Sequence, residues 1–170
     1  MQVVQSIFQK GDTMQPMRKQ DWKLGDVFLV ETKDGLKVIG QIVGQEKEVL
    51  NSASCAFFNI RVKDANDVAN LKELPNSRVF SIQFVTRDLL DDGVWRIVKQ
   101  LPISVDNSQL PFETLRSAGF VGAKVIGSGI INEFLNAYYG LVPWDDWKDP
   151  AYLDRLLLSV DKKPTKLILK

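Results

Sequence analysis

Carboxylates crowd together twice in this sequence, and crowded carboxylates are what a hard cation or an acid–base pair requires. Asp145, Asp146 and Asp149, with Asp154 one turn further on, offer oxygen ligands on paper. Their spacing lacks the alternating pattern and central glycine of a calcium-binding loop, and Lys148 stands among them. No metal is expected there. Asp88, Asp91 and Asp92 form the second cluster, but it runs straight into Gly93, so a tight turn accounts for it. The stretch "GAKVIGSG", 122–129, places small residues ahead of a helical pattern, as an anion-cradling turn does. Without the three-glycine fingerprint, or the lysine and hydroxyl of a P-loop, it reads as a strand-to-helix turn capped by Ser128. Cys55 lies in an apolar strand pattern and reads as an inert core thiol.

The chain contains no histidine. That removes histidine triads, histidine-containing zinc sites and an imidazole general base at a stroke. A histidine-free hydrolase would need carboxylates gathered in one pocket, and nothing in the spacing supports that. The expectation is a protein with no catalytic residues and no cofactor.

The totals agree with a binding protein. The 170 residues are enough to bury roughly 70% of the surface of the unfolded chain around one sizeable core. With 22 basic and 21 acidic side chains, the balance gives nucleic acid or an anionic membrane little to attract. The basic ending "DKKPTKLILK", with Lys162, Lys163, Lys166 and Lys170, reads as a solvated tail. The first residues lack the basic start and apolar run of an export signal, and no run approaches the ~18 apolar residues of a membrane span. A single cysteine allows no internal disulfide, so a cytoplasmic protein is expected.

The elements that must position these residues follow from periodicity. Val27 to Val30 is an apolar run of strand length, "KDG" at 33–35 supplies a hairpin turn, and "LKVIGQIVGQ" returns. Gly40 within the return strand signals a bulge or a close backbone approach. In "SCAFFNIRV", Ala56, Phe58, Ile60 and Val62 share a face opposite Phe57, Asn59 and Arg61. Val68 and Leu71 fit a short helix or ordered loop capped by Asp64 or Asn66. Phe80, Ile82 and Phe84 alternate with Ser81 and Gln83, and a fifth strand runs from Val94 to Lys99.

After Pro111, "FETLRSAGF" suggests a helical turn or two and "VGAKVIGSG" one more strand. From Ile130 the period is helical: Ile130, Phe134 and Tyr138 on one line, Ile131 and Leu135 beside it, and Asn132, Glu133 and Asn136 opposite, with Gly140 past the end. A second helix is expected from Asp149 and Pro150, with Leu153, Leu156, Leu157 and Val160 as its stripe.

The expected fold class is α+β: a small, strongly bent antiparallel sheet or SH3-like barrel of about five to six strands, followed by two C-terminal helices. Residues 1–170 are read as a single domain, with a β-rich core over 21–105 and a mostly helical part over 106–170 packed on it. The stretch "YYGLVPWDDWKDP", 138–150, then falls at the hinge between the two helices, where its rings can close a core edge or present a recognition patch.

"WKLGDVFLVETKDGLKVIGQIVG", 22–44, resembles the opening of the immunity protein 26 family of bacterial polymorphic toxin and contact-dependent inhibition systems. The residues that carry the resemblance are Trp22, Gly25, Asp26, Val27, Phe28, Asp34, Gly35, Gly40 and Gln41. "CAFF" at 55–58 and "VWRIV" at 94–98 suit the later strands, so the similarity covers 21–105; "AYYGLVPWDDWKDPAYLDRLL" looks similar to longer members. The resemblance implies a cytoplasmic protein that binds and neutralises a cognate toxin domain by direct contact and contributes no catalytic residues.

Trp144, Asp145, Asp146, Trp147 and Asp149 are the candidate contact residues, because acidic and aromatic groups suit a basic toxin such as a nuclease. The alternative is an SH3-like adaptor or regulatory module that binds a peptide or nucleic acid.

Overall fold

A computed structural model describes residues 19–106, 119 and 123–170. An initial strand or arm is expected over 1–20, of which 1–18 lie outside the described residues, as do the helical turns expected over 112–120 except for residue 119. Strands β1 (Asp26–Glu31) and β2 (Lys37–Glu46) form the expected hairpin. Gly35 closes its turn at φ +84°, in the left-handed region that favours glycine, and donates its amide to the Thr32 carbonyl at 2.9 Å. Strand β3 (Ser52–Val62) and strand β4 (Val79–Val85) extend the meander. One helical turn, α1 (Asp88–Asp91), leads to β5 (Arg96–Gln100), which returns to pair with β1; β6 (Val125–Ile126) joins β4.

The order β5-β1-β2-β3-β4-β6 makes a six-stranded sheet in an α+β fold. It corrects the SH3-like barrel and the all-antiparallel sheet: β6 runs parallel to β4, and the two end strands lie at opposite edges. A barrel requires its end strands to meet. The long connection from β4 through β5 to β6 is what permits the parallel pair.

Both faces of this sheet are buried, as continuous apolar strands demand. On one face Phe28, Val38, Ile42, Cys55 and Phe57 pack against Ile131, Phe134, Leu135 and Tyr138 of helix α2 (Ser128–Tyr138). On the other, Val27, Leu29, Ile39, Ala56 and Phe58 lie beneath the loops carrying Val68, Leu74, Leu101 and Val105. The turn at Ala65–Val68 has Asp64 as its cap, with Asp67 reciprocating in a capping box. Helix α2 ends as expected at Gly140, φ +70°; its amide donates to Ala137 and that of Leu141 to Asn136, closing a Schellman motif.

Four expectations need correction. Phe80 does not share a face with Ile82 and Phe84, because a register shift opposite Phe57 and Phe58 turns its ring onto Tyr138, with centroids 3.9 Å apart. Asn136 is buried rather than solvated, accepting from the Lys33 amide and donating to the Asn132 carbonyl, both at 2.8 Å. Ser128 does not cap α2; its hydroxyl donates to the Asp88 carboxylate at 2.8 and 2.9 Å.

The second C-terminal helix is reduced to single turns at Leu153–Leu156 and Val160–Lys162. The reason lies in the backbone. The Leu158 amide donates to Phe80 and the Leu156 carbonyl accepts from Ser81 Oγ and Gln83 Nε2, so β4 uses the groups a helix would have used internally. Leu153, Leu156 and Leu157 are buried all the same, while Val160 is exposed.

Gly40 is a point of close approach. A Cβ there would stand 2.4 Å from Phe28 Cζ, because the Phe28 ring lies across the strand, stacked on Trp95 at 5.3 Å and meeting Phe57 edge-on at 6.0 Å. Nearby, Arg61 ties the hairpin turn to the end of α2. Its guanidinium donates to Asp34 Oδ1 at 2.7 Å and to Thr32 Oγ1, and lies 4.0 Å over the Tyr139 ring. The Tyr139 hydroxyl donates to Asn59 at 2.9 Å. The Arg61 hydrogen bond, against a smaller opposing effect of burial, holds the Asp34 carboxyl at about 2.

Two outcomes follow. Gly40→Ala should lower stability by about 1–3 kcal/mol in urea titration, since the ring and not the backbone must yield. The Asp34 carboxyl titrates lower folded than unfolded, so its stabilisation is complete above pH ~4 and is lost as pH falls towards 2. Denaturation midpoints measured from pH 5 to 2 should therefore fall more steeply for the native chain than for Asp34→Asn.

Candidate functional site

The stretch after α2 carries two tryptophans buried to different depths. Gly140 stops the helix and Pro143 prevents its resumption. Trp144 then turns inward: it is 1% exposed, and its ring lies 5.9 Å from Phe134. An indole N–H that deep needs an acceptor, and Nε1 donates to Asp154 Oδ1 at 2.8 Å. Lys163 reaches the same carboxylate at 2.9 Å, with its ammonium 5.8 Å from the Trp144 ring. The Lys163 hydrogen bond, opposed by burial and aided by the indole, holds Asp154 below the usual carboxylate range.

Trp147 is half-buried and packs against the margin of the same core. Its ring meets Tyr152 at 4.9 Å, and the Arg155 guanidinium lies 5.7 Å over Tyr152. Asp149 accepts from the Ala151 amide at 3.0 Å and pairs with Arg155 at 2.7 Å. Those two contacts, the amide first, keep its carboxyl low. The result is a patch of tryptophan, tyrosine and arginine fixed by one carboxylate.

The other two candidate aspartates turn towards the end of the sequence. Asp145 accepts from the Lys170 amide at 2.7 Å, and Asp146 pairs with Lys170 Nζ at 2.9 Å, which raises that lysine above its ordinary value. Pro143 and Ile168 form a parallel bridge, with the Trp144 amide donating to Ile168 at 2.8 Å. The basic ending is thus not a free solvated tail: Lys163 and Lys170 are both engaged.

Of the five candidates, then, Trp147 and Asp149 share one surface cluster, Asp145 and Asp146 grip residue 170, and Trp144 belongs to the core. Tyr152 and Arg155 complete the outer patch and were not anticipated. Their link to Asp149 and Trp147 depends on a turn where a helix was expected, so helical spacing did not reveal it.

The chemistry-bearing residues elsewhere have structural employment. Asp88 sits at the start of α2, where burial pushes its carboxyl up but the Thr86 and Ser128 hydroxyls hold it low overall. The Ser128 amide of the "GAKVIGSG" turn donates to Thr86 Oγ1 at 2.9 Å. Asp91 accepts from Trp22 Nε1 at 2.8 Å and pairs with Arg87 at 3.0 Å. Cys55 is fully buried, and burial pushes its thiol far up. Among the described residues, no three of His, Cys, Asp or Glu gather as a metal site would require. A cleft of about 460 Å³ beside β1 and β5 mixes Glu31, Asp64, Lys37 and Arg96 with Leu29 and Val98. Among the described residues no helix is long and apolar enough to cross a membrane.

Residues 23–119 match the family described as Immunity protein 26. No curated protein and no solved structure matches the chain. The matched span takes in strands β1 to β5, with the hairpin, Gly40 and the Phe28–Trp95 stack that organise the sheet, and extends over more than half of the chain; the chain belongs to the immunity protein 26 family.

Proposed function

We propose that this protein binds a cognate toxin domain in the cytoplasm and neutralises it by direct contact, without catalysing a reaction. Family membership over residues 23–119 is the observation that carries this reading. The absence of histidine from the sequence supports it, because a blocking protein needs only a rigid, complementary surface. The contact face is the outer patch of Trp147, Asp149, Tyr152 and Arg155, with Asp145 and Asp146 beside it. Tryptophan, tyrosine and arginine are the residues that dominate binding energy when they anchor an interface. The patch lies beyond the matched span, which suits a surface that differs from one toxin to the next. A toxin with a basic face, such as a nuclease, would be steered by the aspartates.

The test is co-expression with the toxin domain encoded beside this protein. Growth should be restored by the native chain, and the two proteins should co-purify. Trp147→Ala should weaken binding by about 2 kcal/mol, roughly thirtyfold in Kd, while lowering the melting temperature less than Trp144→Ala does. Trp144→Ala should instead destabilise the fold by about 3–5 kcal/mol through the cavity it leaves. Cells left unprotected by a well-folded native chain would refute the reading.

A further inference from the structure

Residues 166–170 lie against residues 140–146, and the way they are held differs from the way the sheet is held. Their backbone contact is one parallel bridge, Pro143 with Ile168, and the bond from the Trp144 amide to the Ile168 carbonyl. Beyond that, Lys170 holds Asp145 through its amide and Asp146 through its ammonium. The Lys170 and Asp146 side chains are 71% and 53% exposed, so water screens their attraction and the pair contributes little to holding the segment. Leu167 packs partly against the core, whereas Ile168 and Leu169 are 44% and 66% exposed. At Gly140 a Cβ would come within 3.3 Å of the Lys166 carbonyl, so the segment runs close past the end of α2. It is an extended, apolar piece of chain with lysines at both ends, seated weakly in a place shaped for it.

We propose that residues 166–170 are a displaceable strap that occupies the seat of a partner's basic, extended segment, so that the partner binds by strand exchange. The strap states the chemistry of what replaces it. A cation must reach the Asp146 carboxylate, a backbone amide must donate to Asp145, an apolar side chain must fill the Leu167 position, and a backbone carbonyl must accept from the Trp144 amide. With the strap removed, Asp145 and Asp146 lose Lys170, and the face becomes more acidic towards an approaching cationic segment. The strap keeps this edge paired until a better match arrives, which limits adventitious strand addition. This inference rests on the immunity reading for the identity of the partner, and on the geometry alone for the exchange.

The experiment uses the full chain and a synthetic peptide copying residues 163–170, KPTKLILK, followed by tryptophan fluorescence. Lys170→Glu, which turns the strap against Asp146, should bind the peptide saturably and at least fivefold more tightly than the native chain does. The same peptide with its three lysines replaced by glutamate should not bind. In the toxin titration, Lys170→Glu should raise affinity at least fivefold. The double variant Asp146→Lys with Lys170→Glu should rebuild the strap yet lose at least tenfold. A Lys170→Glu chain that ignores the peptide, or that binds both peptides alike, overturns the strap. Toxin affinity unmoved by either variant overturns the seat but leaves the immunity reading standing. A native chain that binds no toxin overturns that reading first, and the peptide arm still decides the exchange.

Discussion

Everything in this fold answers to a sheet whose two faces are both apolar. The run Val27 to Val30 alternates direction residue by residue but not in polarity, so Phe28 and Val30 need cover on one side and Val27 and Leu29 on the other. No second sheet supplies either cover among the described residues. One face is closed by α2 and the turns after it, the other by loops, and loops bring backbone groups that must be satisfied where water is excluded. That need accounts for a buried glutamine on an apolar face. Gln41 is fully buried, and its Nε2 donates to the carbonyls of Gly25, Leu101 and Pro102, pinning the chain as it leaves β5. Lys99 does the same for the other covering loop, donating to Ala69 and Leu71 at 2.7 and 2.6 Å.

What could be read from the sequence was what neighbours in sequence decide. The hairpin at Asp34 and Gly35, the faces of β3 and the end of α2 at Gly140 depend on period, turn chemistry and capping within a few residues. The misreadings have a common cause in contacts between residues far apart in the chain. Phe80 changes face because of a bulge defined by β3, and Leu153 to Val160 forgoes a regular helix because β4 takes its backbone groups. Local spacing carries no trace of either. Parallel pairing of β6 with β4 belongs to the same category, since two residues give too short a pattern to reveal a direction.

The candidate site was legible by composition and not by arrangement. Clustering of rings and carboxylates over 138–150 marked the stretch where the proposed contact face begins. Which tryptophan is the more deeply buried depends on the path after Pro143, and the partners of Asp145 and Asp146 lie 25 and 24 residues away. Lysines in a terminal run usually are solvated, and here the opposing carboxylates override that tendency.

The division between Trp144 and Trp147 has a mechanical meaning. An exposed anchor is useful in recognition when little freedom remains to be lost on binding. Trp147 follows three residues after a ring locked against Phe134 and bonded to Asp154, and its partner Tyr152 immediately precedes Leu153, which is fully buried. The outer patch is therefore mounted on the core at both ends. Core packing, which the sheet requires for its own stability, also sets the orientation of the rings in this patch. If the proposed contact face is correct, a substitution beneath the patch disturbs binding through the position of the rings above it.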